Sequence, residues 1–471
     1  MLENTENYFN DDSQASVSRF EEMQKANTQY FFDVYEFEDI IDHYLETDNL
    51  QQAVKVSSIA CRQHPSALSL QVKKAQVLID RGRHLEALSI LKNIGEIETT
   101  NKDILILKGN IYNLMANFTQ ARKEFDQALE VCHEDKEDLL LKIAVAFEQL
   151  QQYDLATEYY LQAHQINPED KEILFELGYC YEKSERNKES IAAYQRYLDI
   201  HPFSENAWYN LGIVYNRLNE FEKAIEAYDF ALAINPKHEK AYFNKANALA
   251  NCSQFKEAIK CYKEYLRFDD DHSSTHSYIG ECFEKMEQYD QAIDHYHQAI
   301  KINSSLPDPW FGIGLITMYK DRLNESLIFL TKAKTLDDTN PDYWFALGSV
   351  YARTNKPNKT VAAYREAMDL DPTDPVFPIA LADYYHQTEQ TETAIEVLQN
   401  SLSLCADQAQ IQYHLSAYFM LENKVKESQH YFRKALNQDS DSYEELFNHF
   451  PQLKDNEHLY SIINESSSKE E

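Results

Sequence analysis

Apolar and small residues recur along this chain at an interval of 34 residues, as in the stretch AWYNLGIVYNRLNEFEKAIEAYDFALAINP from Ala207 to Pro236. Twelve such units run from Val34 to Ser442, with a single one-residue insertion before Glu137. The units start at Val34, Leu68, Lys102, Glu137, Lys171, Glu205, Glu239, Ser273, Pro307, Pro341, Pro375 and Ala409. A repeat of this length predicts a solenoid in which each unit buries its apolar face against its neighbours.

Two apolar stripes within each unit predict a pair of helices. Positions 4, 7, 8 and 11 fit one face of a first helix, and positions 20, 24 and 27 fit one face of a second. Position 20 is small in all twelve units, which allows the two helices to approach closely. Gly82 lies at position 15, where the turn is needed, and proline ends the second helix at position 32 in Pro65, Pro168, Pro202, Pro236 and Pro372. The predicted class is all-α, with about twelve helical hairpins.

The two ends of the chain depart from the repeat. Residues 1–33 are predicted to be an acidic, disordered segment followed by a capping helix that carries Val17, Phe20, Met23 and Phe31. Residues 443–471 are predicted to form two short capping helices and a disordered acidic tail. Solenoids need such caps because a terminal unit otherwise exposes its apolar face.

The pattern within each unit resembles the tetratricopeptide repeat family, whose order is W-x2-L-G-x2-Y, A-x3-F, A and P. The matching residues of one unit are Trp208, Leu211, Gly212, Tyr215, Ala224, Tyr228, Ala231 and Pro236. The resemblance covers residues 34–442, and it departs from the pattern locally at Thr317 and Pro378. It implies a right-handed superhelix whose concave groove grips extended or helical peptide.

Composition narrows the classes of partner and the compartment. The chain has 45 Lys and Arg against 78 Asp and Glu, and this net charge of −33 disfavours nucleic acid and anionic membranes. It has seven cysteines without a C-x-x-C pair, no basic N-terminal segment, and no apolar run of the roughly 18 residues that span a membrane. We therefore expect a soluble cytoplasmic protein with reduced thiols, built in a bacterial style from repeats and caps alone.

Signatures of catalysis or cofactor binding are missing from the sequence. Six of the nine glycines occupy position 8, so no glycine-rich phosphate loop can be built. His272 and His276 follow three aspartates at 269–271, but a charged loop between repeats is the favoured interpretation over a zinc site. We predict a non-enzymatic protein without a metal, a cofactor or a small-molecule substrate.

Positions 2, 5, 6, 9, 12 and 13 of each unit face away from the hairpin partner, and the resemblance assigns them to the groove. Position 5 carries an aromatic stripe, and asparagines flank it in the middle of the chain. The predicted partner-binding residues are Phe175, Tyr179, Tyr209, Asn210, Arg217, Lys240, Phe243, Asn244 and Asn247. Asparagine can pair with a peptide backbone while aromatic rings contact its side chains. The alternative is that these residues pack between adjacent units.

Charge in the predicted groove suggests the chemistry of the partner. The six positions hold sixteen acidic and seven basic residues, which favours a protein or peptide segment carrying Lys or Arg. The basic clamp by which one subfamily binds chaperone carboxylates is missing, because Phe175 and Tyr179 stand where its first Lys and Asn belong.

Function is thus predicted to be protein binding by a scaffold. Two other classes stay open. One is a regulatory or substrate-recruiting subunit of a separately encoded enzyme, and the other is a structural assembler that uses its convex face.

Overall fold

A computed structural model describes residues 3–26, 28–268, 272–405, 408–440 and 442–467. These residues form 27 α-helices and one short 3₁₀ helix, and no strand occurs among them. The predicted all-α class is confirmed. The chain divides into two compact units, Met1–Pro236 and Lys237–Glu471.

The first unit contains thirteen helices among its described residues, and each packs mainly against its neighbours in the chain. They are α1 (Glu3–Ala26), α2 (Val34–Glu46), α3 (Leu50–Gln63), α4 (Leu68–Asp80), α5 (His84–Gly95), α6 (Lys102–Leu114), α7 (Phe118–Val131), α8 (Lys136–Gln149), α9 (Tyr153–Ile166), α10 (Lys171–Lys183), α11 (Asn187–Ile200), α12 (Glu205–Arg217) and α13 (Phe221–Ile234).

The second unit continues the same alternation of first and second helices. Its helices are α14 (Glu239–Asn251), α15 (Phe255–Tyr265), α16 (Ser273–Lys285), α17 (Tyr289–Ile302), α18 (Pro307–Tyr319), α19 (Leu323–Leu336), α20 (Pro341–Arg353), α21 (Pro357–Leu370), α22 (Val376–Gln387), α23 (Thr391–Ser401), α24 (Gln408–Leu421), α25 (Val425–Gln438), α26 (Tyr443–His449), the 3₁₀ helix (Pro451–Leu453) and α27 (Glu457–Ser467).

A residue with positive φ makes the turn inside every hairpin. All twelve lie at position 15: Asp48, Gly82, Ala116, Gln151, Glu185, Asn219, Ser253, Glu287, Asp321, Asn355, Glu389 and Asn423. Only one of them is glycine, so the sequence revealed this turn at Gly82 alone. The one-residue insertion before Glu137 is accommodated by Asp135, which has a φ of 57°.

Close contact between positions 8 and 24 joins the two helices of a hairpin. A Cβ atom added at Gly212 would lie 2.5 Å from Cε1 of Tyr228, and one at Gly178 would lie 2.7 Å from Cε1 of Tyr194. Where position 20 is serine rather than alanine, the hydroxyl is satisfied locally: Ser190 Oγ donates to the Gly178 carbonyl at 2.7 Å. Small residues are therefore required by the packing, as the repeat pattern predicts.

The N-terminal helix α1 begins at Glu3, inside the segment for which the sequence predicts disorder. It buries Val17, Phe20 and Met23. Phe31, which the sequence assigns to the same apolar face, follows the helix and is 63% exposed, whereas its neighbour Phe32 is buried. The extended backbone between α1 and α2 turns Phe32 inward instead.

The C-terminal helices cover the last repeat. Leu446, Phe447, Phe450 and Leu459 are buried in one apolar cluster with α24 and α25. Helix α27 continues to Ser467, into residues for which the sequence predicts a solvated tail, and residues 468–471 of that tail lie outside the described residues. The division into 1–33, 34–442 and 443–471 remains a prediction.

The two departures from the family pattern are absorbed locally. Thr317, which replaces the aromatic at position 11, is buried, and its hydroxyl donates to the Ile313 carbonyl at 2.8 Å. Pro378 lies within the first turn of α22, where its missing N–H costs no intrahelical hydrogen bond.

Candidate functional site

The predicted partner-binding residues lie on three first helices. Phe175 and Tyr179 are on α10, and Tyr209, Asn210 and Arg217 are on α12, all in the first unit. The other four, Lys240, Phe243, Asn244 and Asn247, are on α14 in the second unit.

Capping side chains fix where α10 and α12 begin. Asp170 Oδ1 accepts from the backbone N–H groups of Glu172 at 2.7 Å and Ile173 at 3.1 Å. Ser204 Oγ accepts from the N–H of Ala207 at 3.4 Å. These caps satisfy N–H groups that have no partner within the helix. They set the register that presents positions 2, 5, 6, 9, 12 and 13 of each first helix on one face, which we call the first-helix face.

Buried tyrosines on the second helices support this face in the first unit. Asn210 Nδ2 donates to the hydroxyl of Tyr194 at 3.1 Å, and the Tyr160 hydroxyl donates to Glu148 Oε2 at 2.7 Å. The ring of Phe175 packs edge-on against Tyr194, with centroids 5.7 Å apart. Asn210 is thus held by the preceding repeat, and Phe175 is held within its own hairpin.

The contribution of these position-24 tyrosines to the first-helix face was not predicted from the sequence. The sequence places position 24 on the apolar stripe of the second helix, and Tyr160 and Tyr194 are buried. Their hydroxyl groups could have indicated this contact, because a fully buried tyrosine needs a polar partner. Here that partner lies on the first-helix face.

Arg217 is engaged within the first unit by the preceding repeat. Its Nη1 donates to the Glu182 carbonyl at 2.6 Å and its Nη2 to Glu182 Oε1 at 2.9 Å. The Glu182 side chain is only 2% exposed, and Lys183 Nζ also contacts it at 3.1 Å. Arg217 and Lys183, two bases on the first-helix face, are therefore already paired with a buried acid. Fewer positive charges are left to balance the remaining acids of α8 and α10.

Glu176 lies at the centre of an acidic region on α8 and α10. Burial, together with the nearby carboxylates of Glu148 and Glu172, raises its pKa to about 7. Burial and the phenol of Tyr153, followed by surrounding acids, raise the pKa of Tyr179 to about 12. Both shifts report the same surroundings, in which negative charge is concentrated and poorly solvated.

A surface pocket of about 220 Å³ opens beside Glu176. Its lining residues are Lys171, Glu172, Phe175, Glu176, Tyr197, Ser204 and Asn206. Two aromatic rings thus stand beside two carboxylates in one open depression. Phe175 and Tyr197 contact each other with ring centroids 5.5 Å apart, so these walls are formed before any partner arrives.

In the second unit, tyrosine rings also pack against Phe243, and a tyrosine hydroxyl donates a hydrogen bond to Asn247. The Phe243 ring lies 5.1 Å from Tyr265, 5.9 Å from Tyr278 and 6.0 Å from Tyr262. Tyr262 donates its hydroxyl to Asn247 Oδ1 at 2.5 Å. Asn244 is partly buried and Lys240 is exposed, so of these four residues Lys240 presents its side chain most openly.

Within the described part of the chain, metal-ligating side chains come close together in the second unit. His276 Nδ1 lies 3.1 Å from His295 Nδ1, and the aspartates at 269–271 that the sequence placed beside His272 lie outside the described residues. One group of three ligands converges, namely Asp383, His414 and His449. Among the described helices, none has the length and apolar character needed to cross a membrane.

Three family models match successive parts of the chain. They are a tetratricopeptide repeat model over residues 141–205, a second tetratricopeptide repeat model over residues 205–238, and the C-terminal domain of cilia and flagella-associated protein 70 over residues 238–449. Together they cover more than half of the chain. No curated protein matches it.

Solved structures with the same repeats are similar over different lengths. The MamA protein is 20% identical, with 36% of this chain and 92% of that chain covered and a TM-score of 0.35. YrrB, described as a TPR protein with an unusual peptide-binding site, is 21% identical, with 42% and 98% covered and a TM-score of 0.33. The APC/C hetero-tetramer Cut9-Hcn1 gives 14% identity, 94% of each chain covered and a TM-score of 0.40. From its repeat pattern, its helical hairpins and the matching family models, the chain belongs to the tetratricopeptide repeat family.

Proposed function

We propose that this protein is a non-catalytic scaffold that binds a Lys- or Arg-containing segment of another protein on the first-helix face of α8, α10 and α12. The acidic pocket beside Glu176 carries the proposal, because carboxylates and aromatic rings converge there on one open depression. The net charge of −33 adds a long-range attraction for such a partner.

The pocket has the two kinds of group that recognise a cationic side chain. Glu172 and Glu176 supply negative charge, and the rings of Phe175 and Tyr197 supply faces over which an ammonium or guanidinium group is stabilised. Burial, followed by repulsion from Glu148 and Glu172, raises the pKa of Glu176, and a bound cation stabilises the ionised form against both effects. The binding energy thus includes relief of a penalty that the free protein already bears.

Residues of the original prediction divide between two roles in this proposal. Phe175 contacts the partner directly as a pocket wall. Asn210 and Arg217 keep neighbouring helices in register through Tyr194 and Glu182. Changing them to alanine would therefore disturb the protein itself, so they are poor probes of binding.

A paired charge substitution tests the site. The variant Glu172→Gln/Glu176→Gln removes two acids of the pocket, and the control Glu222→Gln/Glu226→Gln removes two exposed acids from the second helix α13. Both variants remove two carboxyl groups. Fluorescence anisotropy with labelled Lys- and Arg-rich peptides, and with matched Glu-rich peptides, gives the affinities over a series of salt concentrations.

The proposal requires that the cationic peptides bind wild type and the control alike, that the pocket variant binds at least tenfold more weakly, and that affinity falls as salt rises. Equal binding by the pocket variant and the control would reject the site. Salt-independent binding, or a preference for the Glu-rich peptides, would reject the cationic partner.

A further inference from the structure

Three metal-ligating side chains from three helices meet at the C-terminal end of the second unit. Asp383 lies on α22, His414 on α24 and His449 on α26. One ligand atom from each residue lies within 4.8 Å of those of the other two. The sequence did not suggest this group because its members are about 30 residues apart, and only the stacking of helices brings them together.

The spacing of one pair already fits a shared metal ion. His449 Nε2 lies 3.1 Å from Asp383 Oδ2. Two ligands in a tetrahedral site lie about 3.3 Å apart when each is about 2.0 Å from zinc. An ion can therefore bind between Asp383 and His449 with little change in their positions. The ligand atom of His414 lies within 4.8 Å of theirs, and a shift of its side chain brings it close enough to bind the same ion.

Hydrogen bonds outside the group orient two of the three ligands. His414 Nδ1 donates to the Gln410 carbonyl at 2.9 Å, so the lone pair of the neutral ring is on Nε2. Tyr418 donates its hydroxyl to Asp383 Oδ1, which leaves Oδ2 for the other side. Metal-binding histidines and carboxylates are held by outer hydrogen bonds of this kind.

The group of three ligands has an apolar ring beside it and is open to solvent at one residue. The ring of Phe450 lies 5.7 Å from His414 and 4.7 Å from His449. Asp383 and His414 are partly buried, whereas the His449 side chain is 48% exposed. An ion can thus enter from the side of α26, and solvent can supply a fourth ligand.

We propose that Asp383, His414 and His449 bind one Zn²⁺ ion, which ties the capping helix α26 to the last two repeats. Two imidazoles and one carboxylate suit zinc and related transition metals, whereas Mg²⁺ and Ca²⁺ require oxygen ligands. The ion replaces a direct contact between His449 and Asp383 by bonds that also include His414. This inference is independent of the proposed binding of cationic segments.

Calorimetric titration of ZnCl₂ into the full-length chain, after removal of metals with a chelator, tests the site. Wild type should bind one ion with micromolar or tighter affinity, while MgCl₂ and CaCl₂ give no binding. Asp383→Asn and His449→Gln should each weaken zinc binding at least tenfold. The matched control His430→Ala, an exposed histidine on the neighbouring helix α25, should leave it unchanged.

Hydrogen exchange, compared with and without zinc in each variant, supplies a second readout. Zinc should slow exchange of the α26 amide protons in wild type and in His430→Ala, but not in His449→Gln. Circular dichroism spectra show whether each variant keeps its helices. Absence of zinc binding to wild type would overturn the proposal, and so would equal affinity in folded Asp383→Asn and wild type; either result would leave the three residues as an ion pair with a neighbouring histidine.

Discussion

Gly312 lies directly against the ring of Tyr296. A Cβ atom built on Gly312 would stand 2.4 Å from Cε2 and Cζ of that ring and 2.7 Å from its hydroxyl oxygen. Gly312 is at position 6 of its repeat, whereas Tyr296 is at position 24 of the repeat before it. The contact therefore joins successive hairpins, while the glycines at position 8 join helices within one hairpin.

Gly312→Ala should destabilise the protein by about 1 to 3 kcal/mol, because Tyr296 is buried and cannot move aside without strain. The matched control is Gly95→Ala, where an added Cβ would meet only Cγ2 of Ile104 at 4.0 Å. Urea unfolding of both variants gives the comparison. A loss for Gly312→Ala no greater than that for Gly95→Ala would contradict the overpacking argument.

The repeat made most of the fold predictable, but contacts of this kind were not. Positions 8, 20 and 24 pack within a hairpin, so their size pattern recurs from unit to unit, except at Ile41 and Ser57 in the first unit, and can be read from the sequence. Contacts between position 6 and the preceding position 24 recur, as Asn210 and Tyr194 show, but glycine occupies position 6 only at Gly312. A single glycine has no period, and no sequence pattern distinguishes it from a tolerated one.

Ala116→Gly should stabilise the protein by about 1 kcal/mol. Ala116 makes a hairpin turn with a φ of 56°, a conformation that is costly for residues with a Cβ and free for glycine. The control is Ala192→Gly at an exposed site within α11, where the same substitution should cost about 1 kcal/mol. Thermal or urea unfolding should thus shift in opposite directions for the two variants, and a shift in the same direction would refute the assignment of strain to the turn.

From the sequence, only the helix face that carries the candidate site was predictable. The spacing of the units identified which positions of each first helix lie together, and Phe175 does line a pocket there. The partners of individual side chains were not predictable, since Arg217 could equally have faced a ligand or the preceding repeat. The orientation of Arg217 depends on the carboxylate of Glu182. That carboxylate is buried because of tertiary packing rather than because of its position in the repeat.

Arg217→Ala should destabilise the protein by about 1 to 3 kcal/mol, because it removes one hydrogen bond from the buried carboxylate of Glu182, which Lys183 satisfies only in part, and a second from the backbone carbonyl of Glu182. Arg353→Ala provides a comparison within the same repeat position. Arg353 binds the Met318 carbonyl at 3.0 Å and the carboxylate of Asp321, which is 78% exposed and remains solvated when the arginine is removed. Its loss should cost about 1 kcal/mol or less. Equal losses in the two variants would show that burial of Glu182 does not determine the cost.

Stability should fall as pH rises between about 5 and 7, and Glu176 should account for a measurable part of this fall. The pKa of Glu176 is raised from 4.5 to about 7 in the folded chain, so the folded state binds more protons than the unfolded state across this range. Below the lower value both states are protonated and the group has no effect, and above the higher value the penalty is complete.

Glu176→Gln keeps the shape of the side chain and removes its ionisation. Relative to wild type, we expect no change in the urea midpoint near pH 4 and a gain of about 1 to 2 kcal/mol at pH 8, after allowance for solvent screening. Glu222→Gln, an exposed substitution on α13, controls for loss of one charge. If Glu176→Gln changed stability equally at both pH values, or no more than Glu222→Gln at pH 8, then burial and the neighbouring carboxylates of α8 and α10 would not penalise the ionised form of Glu176, and a cationic partner would have no such penalty to relieve.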